Sequence, residues 1–340
     1  MKTSISILII ILIRCCLLYI GETGTVFERN PDEIRYELES DKFNNIEAKS
    51  IFSVSDEFGN EHWLYYYINY LIIPIGGVLL LKVFNCIITL FCGVLLIKFI
   101  EKNTNLKISF PVAILIWGLL PDLLTWSTLY NLKDSVVFSL YCLLTTLWFK
   151  FDTKINFKNF WLLLLYVCVC FLIYSSRAYL LLVHFVAGSC FLFVKKFNLR
   201  FFGCLLFIML INLAVVYPIL ILLSGDFISD DILVYTLSTV RFFLTPFGVF
   251  GLLDGYYNLI GPYYILGFLL VFVVNVKRKN NPEVKNVIGY IVSNIVSLIL
   301  FYGFLPQNNG PRQKFLISIF LYLTILIHLY YPRQKNPSLS

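Results

Sequence analysis

Long apolar runs, each close to the length that crosses a bilayer, dominate this chain and restrict what it can fold into. A helix of about 20 apolar residues spans the hydrocarbon layer and satisfies its own backbone hydrogen bonds there. Only 14% of the 340 residues are charged, against about 25% in soluble domains. We place spans at about 3–20, 77–97, 108–126, 132–149, 159–176, 178–194, 201–223, 257–276, 286–305 and 314–331. The sequence therefore predicts an all-α, polytopic integral membrane protein with about ten transmembrane helices, residues 1–340 forming a single transmembrane domain.

The charges are distributed unequally between the loops. Loop 21–62 carries a net charge of −7, which leaves +14 on the rest of the chain. Cytoplasmic loops of membrane proteins are rich in Lys and Arg. The basic residues of the short turns are Lys2, Lys98, Lys102, Lys107, Lys150, Lys154, Lys158, Lys195, Lys196, Arg200, Lys277, Arg278, Lys279, Lys285, Arg333 and Lys335. We therefore predict that both termini are cytoplasmic and that 21–76 is the first extracytoplasmic loop.

Two apolar segments need separate interpretation. Residues 63–75 are apolar and aromatic, but Pro74 and the following Gly76-Gly77 break the run. Because a span here would invert every later loop, we predict a helix lying in the outer interface, where Tyr and Trp are favoured. Arg14 lies inside the first apolar run, where it could either snorkel to the surface or face a cavity.

Several kinds of site are disfavoured by the sequence. The nine cysteines all lie within apolar runs, and the three histidines are scattered without metal-ligand spacing. The predicted cytoplasmic turns contain no glycine-rich phosphate loop. The basic residues lie in turns between spans, which argues against nucleic-acid binding.

Polar residues gather at the predicted extracytoplasmic helix ends. Acids are concentrated early and basic residues recur later, a division that suits a carboxylate that handles a proton and cations that hold a phosphate. The candidate substrate-binding residues are Arg35, Tyr36, Asp122, Lys133, Asp134, Arg177, Tyr179, Arg241 and Arg312. We expect Lys133, Arg177 and Arg312 to face one cavity. The alternatives are solvated loops, interfacial tyrosines and, for Asp134, an acid at a helix N-terminus.

Asp32 is the first candidate for the catalytic carboxylate and Glu33 the second. Pro31 favours a helix starting there, which places Arg35 and Tyr36 on the face of Asp32. Arg35 could then keep Asp32 ionised; the alternative is an acid that only favours the helix dipole. The cofactor is left open, and if a divalent cation such as Mg²⁺ or Mn²⁺ is used, Asp32 or Glu33 is its candidate ligand.

These motifs resemble the GT-C superfamily of multi-spanning glycosyltransferases, particularly bacterial proteins akin to protein mannosyltransferases and lipid A sugar transferases. The shared features are the first-loop acids with a following Tyr, an interfacial segment, a Leu-Lys-x-x-Asn helix start, a Pro with a downstream Lys-Asp pair, and a late Arg. Here they are Asp32, Glu33 and Tyr36; 63–75; Leu81, Lys82 and Asn85; Pro121, Lys133 and Asp134; and Arg312.

The resemblance implies a glycosyltransferase in the bacterial cytoplasmic membrane. Such an enzyme transfers a sugar from a polyprenyl-phosphate carrier to a surface glycan or lipid-linked acceptor on the extracytoplasmic side, with a first-loop acid as the catalytic carboxylate. One alternative is an O-antigen or capsule repeat-unit polymerase, which also uses polyprenyl-linked sugars. Another is a polysaccharide or lipid transporter or flippase without catalysis, although the ionisable residues gather at helix ends rather than at mid-membrane.

The predicted topology can be tested by cysteine labelling. A cysteine replacing Asn45 should react with a membrane-impermeant thiol reagent added from outside, because loop 21–62 is predicted to be extracytoplasmic. A cysteine replacing Lys102 is the matched control and should react only after the membrane is opened. Labelling of position 45 from the cytoplasm alone would overturn the topology.

Overall fold

The computed structural model describes residues 2–23, 31–40, 63–153, 160–197, 281–303 and 315–331, with the single positions 210 and 214. Of these residues 92% are helical and none is in a strand, which confirms the all-α prediction for the described part of the chain. The helices are α1 (Thr3–Thr23), α2 (Pro31–Ser40), α3 (Trp63–Thr104), α4 (Phe110–Gly118), α5 (Pro121–Leu124), α6 (Asp134–Thr153), α7 (Phe160–Arg177), α8 (Tyr179–Phe197), α9 (Pro282–Gly303) and α10 (Ile317–Tyr330).

Four described helices are long and apolar enough to cross a membrane: α1, α3, α7 and α9. A fifth is added if α4 and the segment Pro121–Leu129 are counted as one bent span. Shorter apolar helices cover Asp134–Phe149, Tyr179–Leu192 and Ile317–Tyr330. The transmembrane character predicted from the sequence is therefore supported, whereas the number of about ten spans is not confirmed. The predicted spans 201–223 and 257–276 lie outside the described residues.

Helix α3 is two helices joined at a kink. Gly77 has φ 67° and ψ −170°, a conformation that a side chain would strain, and Gly76 is also non-helical. Pro74, just before the kink, removes a backbone donor. The break expected at these residues is confirmed. The interfacial position of 63–75 stays a prediction, and Trp63 to Tyr66 are buried against protein.

A second break separates α4 from α5, where the chain bends by 59°. Leu119 and Leu120 interrupt the helix, Pro121 begins the next turn, and Thr125–Leu129 form a π-helical turn. Apolar spans that bend in this way leave backbone carbonyls without helical partners, which other groups must satisfy.

Arg14 of α1 supplies partners at this break. Its guanidinium donates to the hydroxyls of Ser127 at 3.1 Å and Thr128 at 3.3 Å, and lies 3.5 Å from the carbonyl of Gly118, the last residue of α4. A cation at a helix C-terminus is also favoured by the helix dipole. Arg14 is only 3% exposed, so its guanidinium is enclosed by protein and does not snorkel to the surface, one of the two alternatives raised from the sequence.

The C-terminal ends of α3 and α10 and the N-terminal end of α9 meet at a place other than the break. Asn105, with φ 54°, ends α3 in the left-handed conformation typical of a C-cap and donates to Glu283 of α9 at 2.6 Å. Tyr330 of α10 reaches the Ser109 carbonyl at 3.4 Å. The end of α3 and the start of α9, which border turns predicted to be cytoplasmic, therefore lie close together.

A glycine allows the close packing of α3 and α4. A Cβ added to Gly93 would lie 2.3 Å from the ring of the fully buried Trp117, whose indole donates to the Thr89 carbonyl at 2.8 Å. Gly93→Ala should therefore lower the free energy of unfolding by about 1–3 kcal/mol through overpacking, measured by thermal unfolding of the purified protein in detergent. The control is Gly289→Ala, where the added Cβ would meet Phe191 at an ordinary 3.7 Å; equal stability of the two variants would contradict the assignment.

Candidate functional site

A largely buried ion cluster joins three helices: the end of α1, the start of α2 and the part of α3 that follows the kink. The ammonium of Lys82 in α3 lies 2.7 Å from Oε1 of Glu22 in α1 and 3.0 Å from Oε1 of Glu33 in α2. The side chains of Lys82 and Glu33 are 3% and 1% exposed, whereas that of Glu22 is 42% exposed. A buried carboxylate is stable only when it is paired and hydrogen-bonded. This ion cluster (Glu22, Glu33 and Lys82) therefore fixes the position of α2.

The Glu33 carboxylate also contacts the segment that leads into α6. Its Oε1 accepts a hydrogen bond from the backbone N–H of Asn131 at 3.2 Å. The Asn131 side chain in turn accepts a hydrogen bond from the Tyr65 hydroxyl and donates to Oδ1 of Asn69 at 3.0 Å. Helix α2 is thus held by polar contacts to both α3 and residue 131.

A second buried ion pair is formed by Asp134, three residues after Asn131, and Arg177. Arg177, at the end of α7, donates from Nη2 to Asp134, the first residue of α6, and from Nη1 to the Tyr179 hydroxyl at 3.0 Å. Lys133, next to Asp134, is also buried. Because residues 131 and 134 are three residues apart along the chain, their Cα atoms are at most about 11 Å apart. The Asp134–Arg177 pair and the ion cluster therefore belong to one region.

The predicted first-loop helix forms and begins at Pro31, as the sequence indicated. Asp32 is partly exposed, whereas Tyr36 is buried in edge-to-face contact with Tyr65 and Tyr66. Arg35 makes its ion pair with Glu39 at 2.9 Å, with its side chain 66% exposed, and not with Asp32 as envisaged from the sequence. The hydrogen bond to Glu39 raises the pKa of Arg35.

Three further candidate substrate-binding residues are Asp122, Arg241 and Arg312. Asp122 is fully buried at the start of α5, where it accepts a hydrogen bond from Ser318 of α10. This contact joins the broken span to α10. Arg241 and Arg312 lie outside the described residues, so the prediction that Arg312 faces one cavity with Lys133 and Arg177 stays a prediction.

Among the residues that the structure describes, neither Asp32 nor Glu33 belongs to a metal-binding set. Within the described ranges, no group of three or more His, Cys, Asp or Glu side chains is arranged to hold a metal ion. Glu22 and Glu33 do converge, but the Lys82 ammonium lies between them. The residues beside Glu33 therefore do not fit a divalent cation while Lys82 is present.

Sequence reasoning did not assign site roles to Glu22, Lys82, Asn131 or the asparagines of α3. Lys82 and Asn85 were noted only as part of a motif. The signal that could have found them is a polar residue inside an apolar span: Lys82, Asn85 and Asn69 all interrupt such a run. Asn131 carried no comparable signal, because it lies in a turn.

Comparison with known proteins gives no identification. No protein-family model, no curated protein and no solved structure matches the chain.

The buried pair Asp134–Arg177 and the exposed pair Arg35–Glu39 should differ strongly in their effect on the free energy of unfolding. Arg177→Gln removes a charged partner from the buried carboxylate of Asp134, which should lower the free energy of unfolding by about 3–5 kcal/mol. The control Arg35→Gln removes an exposed pair and should lower it by less than about 1 kcal/mol. Thermal unfolding of both variants in one detergent checks this. Arg177→Lys keeps the charge but loses the forked geometry, so we expect it to fall between them. Equal stability of Arg177→Gln and Arg35→Gln would contradict the buried pair.

Proposed function

We propose that this protein is a membrane glycosyltransferase that moves a sugar from a polyprenyl-phosphate carrier to a surface glycan or lipid-linked acceptor, on the extracytoplasmic side of a bacterial cytoplasmic membrane. The proposal extends the GT-C resemblance, and the partners it implies are the lipid-linked sugar, the acceptor and the bilayer. The apolar helices are compatible with a substrate that carries a long lipid tail.

One observation carries the proposal. The first-loop acids and the later basic residues, far apart in sequence, lie in one region: Glu33 contacts Asn131, and three residues later Asp134 pairs with Arg177. Sugar transfer from a phosphate carrier requires a carboxylate and cations near one another. The arrangement supports that chemistry.

The reaction needs one proton transfer. The acceptor hydroxyl attacks the anomeric carbon of the donor, and the bond from that carbon to the phosphate oxygen breaks. The acceptor proton passes to a carboxylate, and the carrier phosphate leaves with the electron pair. A general base of this kind contributes about 10²–10⁴-fold to the rate.

The surroundings of the two adjacent acids suggest different roles. Glu33 is 1% exposed and paired with Lys82, so it anchors α2. Asp32 is the preceding residue on the same helix and is partly exposed, which leaves it accessible to an acceptor. We assign the base to Asp32 and the positioning of its helix to Glu33.

Asp32→Asn should lower turnover by about 10²–10⁴-fold without changing the thermal unfolding midpoint by more than a few degrees. The measurement uses purified protein in vesicles with a panel of polyprenyl-phosphate hexoses and pentoses, and follows the release of polyprenyl phosphate. The matched control is Glu39→Gln on the same helix, which should keep wild-type turnover because Glu39 contacts Arg35 and Tyr66 rather than Asp32.

Other results would redirect the assignment. Normal turnover in the double variant Asp32→Asn/Glu33→Gln would end the catalytic role of this helix. Passage of the lipid-linked sugar across the vesicle bilayer, with no polyprenyl phosphate released, would replace the transferase by a transporter. Products that grow by whole repeat units would indicate a polymerase.

A further inference from the structure

The ion cluster is arranged like a small cation-binding site in which the cation is the ammonium group of a lysine side chain. Two carboxylates from different helices, Glu22 and Glu33, direct one oxygen each at the same point. That point is occupied by the Lys82 ammonium, 2.7 Å and 3.0 Å from the two oxygens. We propose that Lys82 is the built-in cation of this site, taking the place that a divalent metal ion would need, and that the carboxylate pair works without bound metal.

The distances and the burial of Lys82 support an ammonium group in the place of a metal ion. Mg²⁺ and Ca²⁺ bind carboxylate oxygens at about 2.0–2.6 Å, and an ammonium donating to the same oxygens lies only slightly further away. Lys82 is 3% exposed and reaches the carboxylates from the helical segment that follows the Gly76–Gly77 kink. A divalent ion is disfavoured beside it, because the two positive charges would repel each other.

The charge balance also favours a resident cation. Glu22 and Glu33 carry two negative charges and Lys82 supplies one positive charge. The Asn131 N–H donates a further hydrogen bond to Glu33. Removal of the lysine would leave a buried, uncompensated carboxylate, an arrangement that is strongly destabilised and that gains from any cation able to enter.

The inference bears on catalysis through position. Lys82 does not act on the substrate in this proposal: it holds Glu33, and Glu33 holds the helix that carries Asp32. The proposal has two parts. The first, that sugar transfer needs no metal ion, rests on the proposed function. The second concerns only which cation occupies the carboxylate pair, and it can be measured whatever the protein catalyses.

The test is Mn²⁺ binding to the purified full-length protein, followed by electron paramagnetic resonance. Wild type and Glu33→Gln should bind the same background amount of Mn²⁺, because the lysine already fills the pair. Lys82→Ala should bind about one additional Mn²⁺ per chain, lost again in Lys82→Ala/Glu33→Gln. Mn²⁺ should also raise the thermal unfolding midpoint of Lys82→Ala by a few degrees, since a ligand stabilises the state that binds it. Lys82→Arg keeps a cation and should bind no additional Mn²⁺.

Two results would overturn the proposal. One is a Mn²⁺ ion in the wild type that disappears in Glu33→Gln, which can be measured even if Lys82→Ala does not fold. The other is a folded Lys82→Ala that gains no Mn²⁺, which would show that the two carboxylates do not form a cation site.

Metal-independent transfer is tested separately, by measuring turnover. Wild-type turnover should change by less than twofold on adding a chelator, whereas Lys82→Ala should need added Mn²⁺. Chelator-sensitive wild-type turnover would reject metal-independent transfer. If no transfer is found at all but Mn²⁺ binding follows Lys82 as described, the proposed function fails and the built-in cation stands.

Discussion

The break between α4 and α5 is the constraint on which the described polar region depends. An uninterrupted helix would carry the chain straight through the bundle, and the residues from 121 to 134 would lie along an apolar span. The 59° bend instead redirects the chain after α4. Such a break is stable in an apolar environment only if its backbone and hydroxyl groups find partners. Arg14 provides part of this, with two hydroxyls and the Gly118 carbonyl in reach of one guanidinium, each bond to a charged donor contributing about 1.5–3 kcal/mol.

The ion cluster follows from that bend. Asn131, delivered by the turned segment, donates its backbone N–H to Glu33, while Lys82 approaches the same oxygen from α3. Helix α2 is only ten residues long, too short to be stable alone in water. Its position is set by Glu33 and by the burial of Tyr36 against two tyrosines of α3. The acid next to Glu33 is therefore held in a defined place by contacts that it does not make itself.

The sequence indicated the local features and missed the long-range ones, for a physical reason. Pro31 predicted the start of α2, and Gly76-Gly77 predicted the kink, because these residues restrict or permit particular backbone angles on their own. The partners of Lys82 could not be predicted this way, since Glu22 is 60 residues distant. Arg14 likewise binds hydroxyls more than 100 residues away. Helical periodicity reports which residues share a face, but not which helices meet, and the packing of several helices decides that.

Buried and partly exposed charges have different consequences in this region. Glu33 and Lys82, like Asp134 and Arg177, satisfy each other across helix boundaries, so their electrostatic interactions are set before any ligand arrives. In the proposed reaction, preorganised charges of this kind would lower the barrier because they need no rearrangement as charge develops. The group that we propose as the base must reach the substrate, so it cannot be fully enclosed in the same way. Asp32 is partly exposed whereas Glu33 is buried, so two adjacent carboxylates on one short helix differ in their access to a substrate.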